Sequence, residues 1–170
     1  AVGTRPKDEQ KREFIASTDN WFRPVQFANG PDGCLYVADM YRETIEHPWS
    51  IPESIKKHLD LNSGNNRGRI WRIAPKDFKA RQRKLPGEMT AAELARALGH
   101  ANGWHRDTAA RLLFERQDKS VVPILESMLA KAEQPEARIH ALWALRGLGA
   151  LKAGHVLTAL KTAPRHGLRL

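Results

Sequence analysis

The sequence of 170 residues has a single cysteine, Cys34, and no long hydrophobic run. One cysteine excludes an internal disulfide framework, and it also excludes the CxxC and CxxCH motifs that bind metals or haem. No stretch approaches the roughly 18 apolar residues of a membrane-spanning helix, and the first residues lack the apolar core of a signal peptide. If the protein is exported, its signal is therefore expected to lie outside this chain.

Acidic residues are too few to balance the basic ones, and the net charge is +9. Residues 1–76 hold 12 Lys and Arg against 10 Asp and Glu, whereas residues 77–170 hold 16 against 9. The densest basic cluster lies in the segment 77–89 and consists of Lys79, Arg81, Arg83 and Lys84. Because no aromatic side chains that could stack on bases are interleaved with these charges, nucleic-acid binding is not expected. The segment is interpreted as a basic linker.

Residues 13–76, after a polar leader of residues 1–12, are predicted to form β-structure. Short apolar runs with alternating pattern predict four strands, at Phe14–Ala16, Pro24–Ala28, Cys34–Asp39 and Arg69–Ala74. The sequence Asn29-Gly30-Pro31-Asp32-Gly33 is typical of a hairpin turn. Four short strands cannot bury both faces of a sheet alone, so this β unit is expected to dock against other sheets.

The predicted third and fourth strands are joined by a long connection, residues 40–68. Pro48, Pro52 and an Asn-rich cluster interrupt it, and a short helix is predicted over Glu53–Leu59. So long a connection is uncommon in a compact domain unless it packs on something. Trp49 is expected to fasten it to the rest of a larger fold.

Residues 90–170 change to a helical period. Thr90 and Glu93 form a capping-box pattern at the start of the first predicted helix, which ends near Gly99. Further helices are predicted at about 103–116, 120–131, 135–148 and 151–163. The second half of the chain is therefore predicted to be entirely α-helical.

The predicted helices repeat. Arg106, Ala109 and Leu113 match Arg138, Ala141 and Leu145 at a spacing of 32 residues, and a third copy begins near Arg169. Helical arrays need about three stacked repeats and a polar cap. An array that stops inside a repeat, beside a β unit that needs further sheets, indicates part of a larger protein.

Two stretches carry a family resemblance. The segment from Phe14 to Pro75, which contains FRPVQFANGPDGCLYVAD, closely resembles the propeller end of the planctomycete-type membrane-bound dehydrogenases. This blade motif is shared with sorbosone and PQQ-dependent sugar dehydrogenases and with NHL-type propellers. The helical half, which contains IHALWALRGLG, resembles the HEAT repeats that follow the propeller in that family.

The resemblance implies a mixed fold, with terminal β-propeller blades (about one four-stranded blade) followed by a HEAT-like helical array. It also implies an exported protein, periplasmic or at the cell surface. The expected partners are preceding blades and following HEAT repeats of the same polypeptide, together with cytochrome c. It implies PQQ and calcium in the full-length protein and haem c on a separate domain, with no cofactor held by this chain.

Four residues are candidates for cofactor binding. Arg23 precedes a predicted strand, where its guanidinium suits the carboxylates of an anionic quinone or a substrate oxyanion. The alternative is a structural arginine that bridges blades. Asp39, Tyr41 and Arg42 place an acid, a phenol and a guanidinium at one strand end, either to bind a sugar or cofactor or to staple the blade.

Other polar and aromatic residues point less clearly to a site. His47 with Glu46 suggests a metal site, but neither His47 nor His58 has further ligands at a fixed spacing, and no metal is predicted. Trp143 fits either the helical core or a binding surface. No residue set is predicted to be catalytic.

Two functions remain open. The chain is either part of a quinoprotein-like sugar or alcohol dehydrogenase that passes electrons to a cytochrome c, inactive alone, or part of a non-catalytic scaffold that binds carbohydrate or protein.

Overall fold

The computed structural model describes residues 4–45, 47–79 and 84–162. The chain divides into two units. The sheet unit consists of Ala1–Ala28 and Leu35–Ile73, and the helical unit consists of Asn29–Cys34 and Ala74–Leu170.

The sheet is open and three-stranded, with the order β1-β2-β3. The strands are β1 (Pro24–Asn29), β2 (Leu35–Asp39) and β3 (Arg69–Ile73). β2 and β3 pair antiparallel, with Leu35 opposite Ile73 and Asp39 opposite Arg69. The turn before β2 is closed by a hydrogen bond from the Gly33 amide to the Gly30 carbonyl, and Gly33 has a φ of 85°, as a turn glycine permits. Three of the four predicted strands are confirmed.

The predicted strand at Phe14–Ala16 is wrong, and with it the four-stranded blade within the described residues. Instead of pairing through their backbones, Ile15 and Ala16 line an apolar cleft beside Val37 and Trp71. The apolar pattern that predicted a strand thus serves side-chain packing.

The long connection contains a one-turn helix, α1 (Glu53–Lys56), shorter than the predicted Glu53–Leu59. Gly64 has a φ of 82°, and a Cβ there would lie 2.2 Å from the backbone oxygen of Tyr41, so only glycine fits this approach. Trp49 was expected to fasten the connection, but its exposed fraction is 92%. No described residue covers it.

The helical unit contains five helices in its described part, close to the predicted ranges. They are α2 (Ala91–Ala97), α3 (Gly103–Arg116), α4 (Val122–Lys131), α5 (Pro135–Gly147) and α6 (Ala153–Thr162). The capping box is confirmed, because the Glu93 amide donates to Thr90 Oγ1 at 3.2 Å and the Thr90 amide donates to Glu93 Oε2 at 2.6 Å. Helices α3 and α5 form one layer, and α2, α4 and α6 form the other.

The two layers enclose an apolar core. Buried leucines from α2 to α5 fill it, and Ala109 and Ala141, at equivalent repeat positions, are also buried. Small side chains there let the helices approach closely.

The repeat also has a polar signature. Arg106 donates to the carbonyl of His100 at 2.7 Å, and Arg138 donates to the carbonyl of Ala132, so each arginine reaches six residues back into the segment that follows the preceding helix. The start of the third copy, at Arg169, lies outside the described residues.

Candidate functional site

Arg23 makes all its observed hydrogen bonds within the sheet unit. Its guanidinium donates to the carbonyls of Asn20, Phe22 and Glu43, the last two at 3.1 and 3.2 Å. Its backbone amide donates to Asp39 Oδ1 at 2.8 Å. These contacts tie the segment before β1 to the segment after β2, which agrees with a structural arginine.

Asp39 is the centre of this network and is 3% exposed. Its Oδ1 also accepts from the amide of Tyr41 at 2.9 Å, and its Oδ2 accepts from Trp71 Nε1 at 3.0 Å. Arg69 Nε lies 3.5 Å from Oδ2. Burial raises the pKa of this carboxyl, but the hydrogen bonds and the charge of Arg69 outweigh burial, so the pKa lies below its ordinary value.

Tyr41 and Arg42 extend the network toward the long connection. Tyr41 has a φ of 51°, in the left-handed region that favours glycine. The guanidinium of Arg69 lies 3.6 Å above its ring, a cation–π contact. Arg42 Nη1 donates to the carbonyl of Asn62 at 3.0 Å.

The structure therefore brings Arg23, Asp39, Tyr41 and Arg42 together at one end of β2, as the sequence predicted for the last three. Their role in cofactor binding stays a prediction. Sequence reasoning missed Arg69 and Trp71 of β3. The register of β2 with β3 would have revealed them. Arg69 lies opposite Asp39, and Trp71, two residues later on the strand, lies on the same face as Arg69.

The histidines of the long connection show no metal site. His47 Nδ1 accepts from the amide of Trp49 at 3.3 Å, and Glu46 lies outside the described residues. Within the described part of the chain, no group of three or more His, Cys, Asp or Glu side chains could hold a metal. None of the described helices is long and apolar enough to cross a bilayer.

The basic linker is described only in part, since Arg81 and Arg83 lie outside the described residues. Lys84 Nζ lies 2.8 Å from Glu93 Oε2. The hydrogen bond from Lys84, followed by those with Thr90, lowers the pKa of Glu93 to about 2. Lys84 therefore supports the start of α2.

The loop Asn29–Cys34 is bound to the start of α3 within the helical unit. Asn102 Nδ2 donates to the carbonyl of Gly30 at 2.8 Å, and the buried His105 has Nε2 at 2.8 Å from the carbonyl of Pro31. His105, at a repeat position, is thus a structural residue.

A surface of a different kind lies on the layer of α3 and α5. We call it the α3–α5 face and define it by side chains that point away from the core: Asp107, Arg111, Phe114, His140, Trp143 and Arg146. Phe114 is 61% exposed, and its ring packs over Gly147, where an added Cβ would lie 3.1 Å from the ring. The guanidinium of Arg146 lies 5.1 Å from the centre of the half-buried Trp143 ring.

Two basic groups of the α3–α5 face lie beside carboxylates. Arg111 Nη1 lies 2.7 Å from Glu115 Oε1, and His140 Nε2 lies 3.8 Å from Asp107 Oδ1. Burial lowers the pKa of His140, and although the carboxylates beside it act in the opposite direction, the pKa stays below its ordinary value. The sequence did not decide whether Trp143 belongs to the core or to the surface. In the structure its side chain is half-buried.

Comparison with known families divides the chain close to the end of the sheet. Residues 91–170 match the model of HEAT repeats, and residues 2–77 match a domain of unknown function (DUF7133). No curated protein and no solved structure matches the chain. The helical region is HEAT-like, as predicted. A propeller and dehydrogenase activity stay predictions.

Proposed function

We propose that this chain is a non-catalytic binding module, in which the HEAT-like unit binds a protein partner and the sheet unit joins a larger β-structure. HEAT repeats commonly mediate protein interactions, because stacked helix pairs form extended surfaces for a partner. The match to HEAT repeats supports a protein as the ligand rather than a small molecule.

The observation that carries the proposal is the exposed ring of Phe114 on the α3–α5 face. An exposed phenylalanine beside a half-buried tryptophan and an arginine matches the composition of protein interfaces, where aromatic residues and Arg are enriched. Phe114 is also held in place, since its ring rests on Gly147. A fixed aromatic side chain loses little conformational entropy when a partner covers it.

The sheet unit supports the second half of the proposal. Every residue of β1 is exposed, Val25 and Phe27 by more than half, and Ile70 of β3 is exposed as well. An edge strand without charged side chains is open to further pairing. In our proposal the sheet is one blade of a propeller, and neighbouring blades cover these side chains and Trp49.

A quinoprotein-like dehydrogenase, exported and coupled to cytochrome c, is the alternative for the whole protein and rests on the resemblance. In it, Arg23, Asp39, Tyr41 and Arg42 would contact PQQ or substrate. The hydrogen bonds of Arg23, Asp39 and Arg42 to other residues of the sheet unit favour a structural role instead.

A displayed library of random peptides, selected on the immobilised chain, tests protein binding. We expect selected peptides to lose roughly tenfold or more in affinity for Phe114→Ala, since truncating an interface aromatic costs about 1 to 2 kcal/mol or more. Leu157→Ala is the matched control, because Leu157 is equally exposed, at 61%, but lies on α6 in the other layer. Peptides that bind both variants as tightly as the original chain would exclude the α3–α5 face.

A further inference from the structure

The first turn of α6 is held by a histidine. The amide of Lys152, immediately before the helix, donates to His155 Nδ1 at 3.1 Å, and the carbonyl of Lys152 accepts from the amide of His155 at 3.0 Å. Lys152 is therefore the N-cap residue, and His155 is the third residue of the helix. A side chain at this position that accepts from the N-cap amide forms one half of a capping box.

The same hydrogen bond occurs at the start of α2, with a different acceptor. There the amide of Thr90 donates to the carboxylate of Glu93, also three residues later. Because the pKa of Glu93 is lowered to about 2, this carboxylate stays an acceptor in mild acid. An imidazole nitrogen accepts a hydrogen bond only while it is unprotonated, and histidines commonly change their charge between pH 5 and 8. Acid should therefore affect the first turns of these two helices differently.

Both ring nitrogens of His155 have partners. Nε2 lies 3.1 Å from Glu126 Oε1, and since an ionised carboxylate only accepts hydrogen bonds, Nε2 carries the proton. Nδ1 is then the unprotonated nitrogen, as the amide of Lys152 requires. A further proton must bind at Nδ1, where it takes the lone pair that accepts from this amide.

The charged groups in contact with His155 come from α4 and from the turn before α6. Glu126 of α4 accepts from Lys152 Nζ at 2.9 Å, and this hydrogen bond lowers the pKa of Glu126, which stays charged in mild acid. α5 also packs against α6, but within the described residues no ion pair joins it to His155. The imidazolium thus keeps its contact with Glu126 and loses the bond to the Lys152 amide. A cation at the N-terminus of a helix is also unfavourable.

We propose that His155 is a pH-sensitive cap of α6, which fixes the first turn of the helix while the ring is neutral and releases it when the ring is protonated. This inference is independent of the proposed protein-binding surface, because His155 lies on α6, in the other layer of helices.

NMR measurement of amide exchange tests this hydrogen bond directly. The protection of the Lys152 amide, corrected for the pH dependence of an unprotected amide, should fall roughly two- to tenfold between about pH 8 and about pH 5, as for the loss of one hydrogen bond. The Thr90 amide of the same molecule is the internal control and should keep its protection. His155→Gln is the matched variant, because glutamine also accepts from the N-cap amide but does not titrate. In this variant the Lys152 amide should be equally protected at both pH values.

Three results would overturn the proposal. The first is protection of Lys152 that does not change with pH in the original chain, and the second is an equal loss of protection in His155→Gln. The third is a loss that disappears in His140→Gln, since the effect would then belong to the histidine on α5 whose pKa is lowered. We expect His140→Gln to leave the response of Lys152 unchanged. Circular dichroism at the helical band shows that each variant folds.

Discussion

Each of the two units is stabilised internally in a different way. The helical unit buries leucine and alanine side chains from every described helix in one continuous core. In the described part of the sheet unit, Val37 and Asp39 are the buried residues. One valine contributes only about 1.5 to 3 kcal/mol on burial. The hydrogen bonds around Asp39 are therefore an important source of stability for the sheet unit. The helical unit has its own apolar core, whereas the sheet unit has a polar centre and uncovered apolar surface.

The largest effect is expected in the helical core. Leu142→Ala removes a fully buried side chain of α5 and should lower the free energy of unfolding by about 3 kcal/mol, through lost burial and a residual cavity. Urea unfolding followed by circular dichroism at the helical band measures it. Leu157→Ala, at an exposed position, should change the free energy of unfolding little. Equal losses of stability in both variants would show that Leu142 is not part of the core.

Asp39→Asn should break the polar centre of the sheet unit. The amide keeps one acceptor oxygen, so either Trp71 Nε1 or the backbone amides of Arg23 and Tyr41 lose their acceptor, and the charge near Arg69 is lost, at a cost of about 1 to 3 kcal/mol for the whole unit. Hydrogen exchange of the Arg23 and Tyr41 amides reports this unit separately, and both should exchange faster. The control is Asp60→Asn, since Asp60 is exposed and accepts from the amide of Asn62. Unchanged exchange in Asp39→Asn would refute the polar centre.

Arg23→Ala separates structural from cofactor-binding roles. The loss of its hydrogen bonds to three carbonyls should lower the stability of the sheet unit by about 1 kcal/mol. Faster hydrogen exchange of the amides in the sheet unit would show this loss. Titration of the same variant with PQQ and calcium should match the original chain. A stable Arg23→Ala chain with PQQ affinity reduced tenfold or more would instead return Arg23 to a cofactor site. Arg67→Ala, an exposed arginine of the long connection, controls for charge.

Acid should begin to destabilise the two units at different pH values. The pKa of His140 is lowered on folding, so the unfolded state binds more protons as pH falls below about 6.5, and the helical unit loses stability there. The pKa of Asp39 is also lowered, so its contribution is present above about 3.8 and is lost as pH falls through the folded value. Hydrogen exchange between pH 7 and 3 measures both. His140→Gln should remove the first decline, and a decline that persists in this variant would assign it to other groups.

The sequence predicted the helical unit well because its signals are local. The alternation of apolar residues and the Thr90–Glu93 capping box lie within one helix and its first turn. Phe14–Ala16 was predicted wrongly because an apolar triplet does not distinguish a paired strand from side chains that cover a sheet. A strand needs a partner, and pairing is not a local property.

The candidate sites show the same limit. Asp39, Tyr41 and Arg42 were found together because they are adjacent in sequence, whereas Trp71 required the register of β2 with β3. The α3–α5 face could not be predicted, because the exposure of Phe114 depends on how α3 packs against α5. Periodicity assigns a residue to a helix, and tertiary packing decides whether water reaches it.

The arginines that reach six residues back have a consequence for how the helical array forms. Arg106 and Arg138 each bind a carbonyl in the segment that joins their own helix to the preceding repeat. Contacts so close in sequence form early, because little chain entropy is lost in closing them. We therefore expect the bend between consecutive repeats to form before more distant helices stack on it.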